Sequence, residues 1–195
     1  WLLFEEGKDG PLKIETAAGL LKAERVGART IAVDMGSPLL KWQEIPIARA
    51  MDTVRLDYSV RAPDGQWLEG PGAVNMGNPH AVFFVADAEA APVREVGAQV
   101  EQDAFFPEGV NVSFAQIVRP DRIRLRTWER GVGLTKACGT GACAAAVAAH
   151  RAGLAGRAVT IVADGGELGI EWRASDDRVI MTGPVEMERE GELAA

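Results

Sequence analysis

The chain has 195 residues, 47% of them apolar, which is enough for one large packed domain or two small ones and too much for a disordered chain. Lysine and arginine number 21 against 28 acids, and the resulting net charge of −7 repels phosphate backbones and argues against nucleic-acid binding. No apolar run approaches the roughly 20 residues of a membrane span and no charged leader with an apolar core opens the sequence, so a cytoplasmic protein without membrane contact is the expectation.

In chain order, Trp1, Leu2, Leu3 and Phe4 read as the end of a helix stopped by Glu5-Glu6-Gly7. With no methionine before Trp1, something is expected to precede it in the gene product. Residues 12–16, 20–24 and 30–34 have strand-like alternation or β-branched content and are separated by Ala17-Ala18-Gly19 and Gly27-Ala28-Arg29, which predicts a β-meander. Gly36-Ser37-Pro38 breaks that pattern, and the irregular stretch through Pro46 is expected to cross between domains. Residues 54–61 alternate like a strand, Pro63-Asp64-Gly65 turns the chain, and 81–85 is a continuous apolar strand. Asp87 is placed to cap a helix over 90–102, with Pro92 near its first turn, and 122–128 alternates again with Ile123 and Leu125 on one face.

That last strand runs into a glycine-rich loop over 131–141, a small-residue helix over 142–152 and Gly153 as its C-cap. Strands over 159–162, 168–172 and 179–182 follow, separated by Asp164-Gly165-Gly166 and Ser175-Asp176-Asp177. The order helix end, turn, strand, glycine turn, strand thus occurs near both ends. Ile14 matches Ile161, Gly19 matches Gly166 and Leu21 matches Leu168, each pair 161 − 14 = 147 positions apart.

Only two cysteines are present, Cys138 and Cys143, too few for a disulfide scaffold; together with His80 and His150 they form no paired metal-ligand spacing. Cys138 stands at the mouth of the small-residue helix. Unpaired backbone N–H groups and partial positive charge there stabilise a thiolate or a bound carboxylate, and can lower a thiol from about 8.5 to roughly 3.5–7.5. Gly139 and Gly141 permit close approach of a carboxylate to the backbone, and Thr140 adds a donor. Glu129 and Arg130, at the end of the preceding strand, supply one charge of each sign and suit a zwitterionic amino acid. The bland alternative for Cys138 is a small buried residue ahead of a helix. Cys143, one turn into the helix, reads as core, and His150 as a cation at a helix C-terminus. Asn78 and His80, in the polar turn before the apolar strand, either meet a substrate and orient a base or only shape the turn. Asn111 is a further lone amide at the start of a strand.

Glu129-Arg130-Gly131-Val132-Gly133, Ala137-Cys138-Gly139-Thr140-Gly141-Ala142-Cys143 and Met76-Gly77-Asn78-Pro79-His80 together resemble the diaminopimelate epimerase family, and the similarity runs through Ile14-Glu15-Thr16, Val33-Asp34-Met35-Gly36 and Met181-Thr182-Gly183. The resemblance implies an α+β fold of two pseudo-symmetric domains, each a mostly antiparallel β-sheet wrapped around a central helix, the first domain incomplete. Residues 1–40 would be the remainder of the N-terminal domain, 41–182 the C-terminal domain, and 183–195 a tail returning toward the first. It also implies interconversion of LL- and meso-2,6-diaminopimelate in lysine and peptidoglycan precursor synthesis, with no cofactor, pyridoxal phosphate or metal; a homodimer is the default assembly. Two cysteines on opposite faces of the α-carbon would remove and return the proton. Carried over by motif, Cys138 is one of them, His80 and Glu129 assist it, and Asn78, Asn111, Glu129, Arg130, Gly139 and Thr140 bind substrate.

Two departures from the family pattern stand out. Leu134 replaces an acid common in the family and Lys136 lies two residues before the thiol, so a more positive field is expected, and with it a lower thiol pKa than an acid at 134 would give. The Cys-Gly-Asn-Gly motif of the second cysteine is absent, and the chain as written is expected not to epimerise. Another cofactor-independent racemase of the same fold, such as a proline racemase relative, and a non-catalytic amino-acid-binding fragment are the alternatives.

Overall fold

A computed structural model of the chain describes residues 2–8, 10–16 and 19–186; Trp1, Asp9, Ala17, Ala18 and residues 187–195 lie outside the described residues. A short helix α1 (Leu2–Glu5) ends where Gly7, at φ 83°, donates its N–H to the Phe4 carbonyl. The antiparallel meander β1 (Leu12–Thr16), β2 (Gly19–Gly27) and β3 (Thr30–Asp34) follows as predicted.

The strand predicted over 54–61 is largely absent: only β4 (Ser59–Arg61) pairs, with β5 (Trp67–Glu69). Upstream, the Val54 N–H bonds the Asp52 carboxylate and the Leu56 N–H bonds the Pro71 carbonyl, so the backbone is satisfied by a turn and a loop rather than by a ladder. The alternation is real because Leu56 and Val60 reach the core, but it belongs to an extended, mostly unpaired segment. β6 (Gly72–Asn75) and β7 (Pro79–Phe84) form a tight hairpin, so Pro79 and His80 lie in the strand rather than in the turn. Helix α2 (Val93–Glu101) starts three residues later than predicted, after Pro92, and Asp87 does not cap it: that carboxylate accepts the N–H groups of Glu89 and Ala90 in a separate turn.

The remaining elements are β8 (Asn111–Arg119), β9 (Arg122–Glu129), β10 (Gly133–Thr135), α3 (Gly139–Arg151), β11 (Ala158–Ala163), β12 (Gly166–Trp172) and β13 (Val179–Pro184). The predicted loop over 131–141 therefore contains a short strand, and the helix begins three residues earlier than read. One mixed sheet runs β1-β2-β3-β13-β12-β11-β9-β8-β7-β6, with β10 added to β9. It is antiparallel except where β7 meets β8 and β9 meets β11.

The sheet curls around α3, whose residues 141–149 are all buried. Val74, Val82, Leu125, Ile161, Ile170 and Val179, each from a different strand, close on it. Small side chains are what let a helix be sheathed this closely. A Cβ on Gly72 would stand 3.1 Å from that of Ala148. At the far end Gly153, at φ 72°, donates to the His150 carbonyl and ends the helix. His150 bonds the Ala155 carbonyl and packs edge-on against Trp172, a structural role. On the other side of β7–β9, α2 sets Val93, Val96 and Val100 against Phe83, Val112 and Phe114. β7 is thus covered on both faces, which explains its unbroken apolar run.

The internal repeat extends to hydrogen-bond register. In the first hairpin Thr16 faces Gly19 and Ile14 faces Leu21; in the second Ala163 faces Gly166 and Ile161 faces Leu168. The offset grows by one in the next connection, so that Ala23↔Val33 corresponds to Ile170↔Met181 (23 + 147 = 170; 33 + 148 = 181). β3 and β13 then pair with each other, Val33 directly opposite its own counterpart Met181. A pseudo-twofold axis passes between those two residues. Among the described residues no helix is long and apolar enough to cross a membrane.

Candidate active site

Strand register brings the polar candidates together. His80 on β7 stands opposite Asn111 on β8, and Val112 opposite Trp128 puts Asn111 level with Glu129 at the end of β9. These three side chains form a row at the end of the sheet where α3 begins. The Asn111 amide is a strut: its Nδ2 donates to the Pro79 carbonyl at 2.8 Å and its Oδ1 accepts the Arg130 N–H at 2.9 Å. Each end keeps one unused hydrogen-bonding position.

Cys138 is the N-cap of α3, extended at φ −134°, ψ 108°, with Sγ accepting the Gly141 N–H at 3.4 Å and lying 3.6 Å from the Thr140 hydroxyl. The Gly139 and Thr140 N–H groups precede the first helical bond and have no partner among the described residues. Glycine at 141 brings the helix mouth down onto β9, since a Cβ there would lie 3.2 Å from Cys138 Sγ and 3.3 Å from Thr127 Oγ1. Beside the thiol, the β9–β10 hairpin lets Thr135 donate its hydroxyl to Glu129 Oε1 at 2.6 Å. The Arg130 guanidinium is held by the Glu108 carbonyl at 2.7 Å.

His80 is fully buried, and its Nε2 donates to Asn78 Oδ1 at 2.9 Å while Nδ1 has no partner among the described residues. Burial, helped by the charge of Arg130, lowers its pKa to about 3. The ring is therefore neutral, and it orients Asn78 rather than offering an imidazolium proton. Cys138 reverses the sequence expectation. It is only 7% exposed, and burial outweighs its bonds from Thr140 and Gly141, with Glu129 adding to the rise, so the thiol is pushed up to about 11. Leu134 packs with Trp128 on the α2 side of β9, Lys136 is exposed, and the charge that acts on the sulfur is the Glu129 carboxylate. Cys143, fully buried inside α3, is pushed to about 12 by burial and by Cys138.

These shifts give stability a plateau with two defined edges. Below pH 6.5 the unfolded chain protonates His80 while the native ring, titrating near 3, does not, so the unfolded state holds more protons and stability falls with falling pH. Above pH 9 the unfolded chain loses thiol protons that buried Cys138 and Cys143 retain until about 11 and 12, so stability falls with rising pH. Urea midpoints measured from pH 5 to 10.5 are expected to trace both limbs. A Cys138→Ala/Cys143→Ala double variant is expected to flatten the alkaline one, and an unchanged alkaline slope would discount the buried thiols.

Sequence reasoning passed over three residues that shape this site. Asn75 accepts the Gly77 N–H and fixes the turn carrying Asn78, Thr135 holds Glu129, and Glu101 reaches in from α2. Only Asn75, next to a Gly-Asn-Pro turn, had a local signal; the other two act through tertiary contacts. Among the described residues no three His, Cys, Asp or Glu side chains converge as a metal site. The arrangement can bind a zwitterion, with its carboxylate on the helix mouth or Arg130 and its ammonium on Glu129, and hold an α-carbon near a protonated thiol.

The family model described as diaminopimelate epimerase matches residues 72–188, more than half of the chain and every candidate site residue. The diaminopimelate epimerase of Phenylobacterium zucineum is 57% identical over 193 residues, covering 99% of this chain and 69% of that protein. That of Methylocella silvestris is 52% identical over 194 residues, covering 99% and 67%. The chain thus spans about two thirds of the length of these relatives. Among solved structures, a hydroxyproline epimerase from Agrobacterium vitis is similar at 18% identity and TM-score 0.63, over 90% of this chain and 56% of that one. A predicted epimerase from Pseudomonas aeruginosa is similar at 17% identity and TM-score 0.66, over 100% and 71%. Both share the fold. With sequence identity above half along almost its whole length and the matched segment enclosing the helix-mouth thiol, the chain belongs to the diaminopimelate epimerase family.

Proposed function

We propose that the protein interconverts LL- and meso-2,6-diaminopimelate by moving one α-proton through thiols, with Cys138 serving one face of the carbon, in cytoplasmic lysine and peptidoglycan precursor synthesis. The observation that carries this reading is the protonated thiol at a helix mouth, flanked by the unpaired N–H groups of Gly139 and Thr140 and by the Glu129 carboxylate. The substrate's carboxylate binds where helix amides and Arg130 favour negative charge, and its ammonium faces Glu129. A base on the far face takes the α-proton while Cys138 gives its own proton to the near face, inverting the centre. Cys138 is then the thiolate, ready for the reverse direction. Cys143 cannot be that opposite base, because it is buried in the same helix one turn below. These 195 residues hold no third cysteine that could serve the far face.

The test uses the full-length gene product with LL-diaminopimelate in heavy water. Formation of the meso isomer with deuterium at the inverted carbon is expected. A folded protein that shows neither isomerisation of LL-diaminopimelate nor deuterium uptake at its α-carbon would overturn the reading.

A further inference from the structure

The turn that carries Glu129 and Arg130 is braced from behind by a residue outside the site. Glu101 is the last residue of α2, where a carboxylate opposes the negative end of the helix dipole, so local energetics do not favour it there. Both of its oxygens are used in tertiary contacts instead. Oε2 accepts the Trp128 indole N–H at 2.6 Å, and Oε1 accepts the Gly131 N–H at 2.8 Å. Those two donors sit immediately on either side of Glu129 and Arg130. Gly131 is at φ 76° and exposed, so without this bond its amide would face water.

We infer that Glu101 is a positioning residue, which holds Trp128 and Gly131 as a clamp and so fixes the direction in which the Glu129 carboxylate and the Arg130 guanidinium meet the substrate. The inference rests on the reading that these two charges grip the amino-acid group of diaminopimelate. A residue that acts only by aiming binding groups shows itself mainly in KM, because Cys138, the acid that gives up the proton, is held by α3, and Glu129, whose charge acts on its sulfur, keeps its bond from Thr135.

In the full-length enzyme, Glu101→Gln keeps the shape but leaves a single acceptor for two donors. KM for diaminopimelate is expected to rise about tenfold with kcat changed less than about threefold, and the pH profile of kcat to stay in place. Glu95→Gln, on the exposed side of the same helix, removes the same charge and is expected to change neither constant. Amide hydrogen exchange at Gly131 is expected to be protected in the wild type and faster in Glu101→Gln. An unchanged KM alongside faster Gly131 exchange overturns the inference, since the clamp then aims nothing. Unprotected Gly131 in the wild type overturns it too, and decides the matter even if the variant fails to fold. A wild type that folds but does not act on diaminopimelate defeats the proposed function, with the clamp then judged on the Gly131 exchange.

Discussion

Cys138→Ser in the full-length protein is expected to slow formation of meso-diaminopimelate by about 10²–10⁴-fold while leaving the fold intact. The two halves of that expectation have separate causes. Serine is nearly isosteric with cysteine and is among the best N-cap residues, so its hydroxyl can accept the Gly141 N–H that Sγ now takes and keep the first turn of α3 in place. A hydroxyl, however, is far too weak an acid and its alkoxide far too strong a base for the proton to be exchanged with an α-carbon at neutral pH, whereas a thiol near 11 stays protonated yet within reach. Thermal melting and proton NMR of the reaction in heavy water read the two halves. A variant that melts like the wild type and keeps its rate within about tenfold would remove Cys138 from the chemistry.

The local readings that succeeded were those in which one short segment carries its own instructions. The glycines around Cys138 and the alanines that follow announce a helix mouth and a helix that tolerates burial on every side, and the structure shows both. The hairpin from Ala158 to Trp172 was legible from β-branched alternation around a glycine turn. The failures came where tertiary contacts decide. Asp87 looks like a helix cap by spacing, but Pro92 lies between it and α2, and its carboxylate is taken by a nearer turn. Residues 54–58 alternate because one side faces the core, and alternation alone does not provide a partner strand.

The candidate site divides in the same way. Residue types and their loops pointed to Asn78, His80, Glu129, Arg130, Cys138, Gly139 and Thr140, and only the family resemblance singled out Asn111; strand register sets His80, Asn111 and Glu129 in one row, and the start of α3 carries Cys138, Gly139 and Thr140. Protonation was not legible. The helix mouth argues for an acidic thiol, and only the structure shows that burial and the nearby Glu129 carboxylate outweigh it. Nor does any local pattern mark Thr135 or Glu101, because each matters through a single contact with a residue on another element.

The repeat was visible only as three matching residues at a spacing of 147, which common residue types produce readily. Its force comes from pairing. Two meanders share hydrogen-bond register strand for strand, and they join through the strands that correspond to each other, β3 and β13. Against the second meander the buried helix α3 packs Ile161, Ile170 and Val179, whereas in the first Ile14 and Leu20 stay exposed.

Gly97→Ala is expected to destabilise the protein by about 2 kcal/mol, against the usual direction for that change in a helix. In an unconstrained helix interior, alanine improves on glycine by about 1 kcal/mol. At this position the new methyl would lie 2.5 Å from both Cβ and Cγ of Trp128 and 3.0 Å from Cδ2. None of these is the free end of a flexible side chain, so α2 itself must move off β9, and overpacking of this kind costs about 3 kcal/mol at the upper end of its usual range. The difference leaves the net loss. The nearest atom gives the prediction a second edge: a Cβ is present in every residue except glycine, so shortening Trp128 to leucine is not expected to restore the wild-type midpoint. The same displacement draws Glu101 away from Trp128 and Gly131, so the Gly131 amide should exchange faster. Urea unfolding of Gly97→Ala, alone and with Trp128→Leu, reads the first two effects. A midpoint at or above that of the wild type would mean that α2 and β9 are not in the close contact that aligns Trp128 with the site.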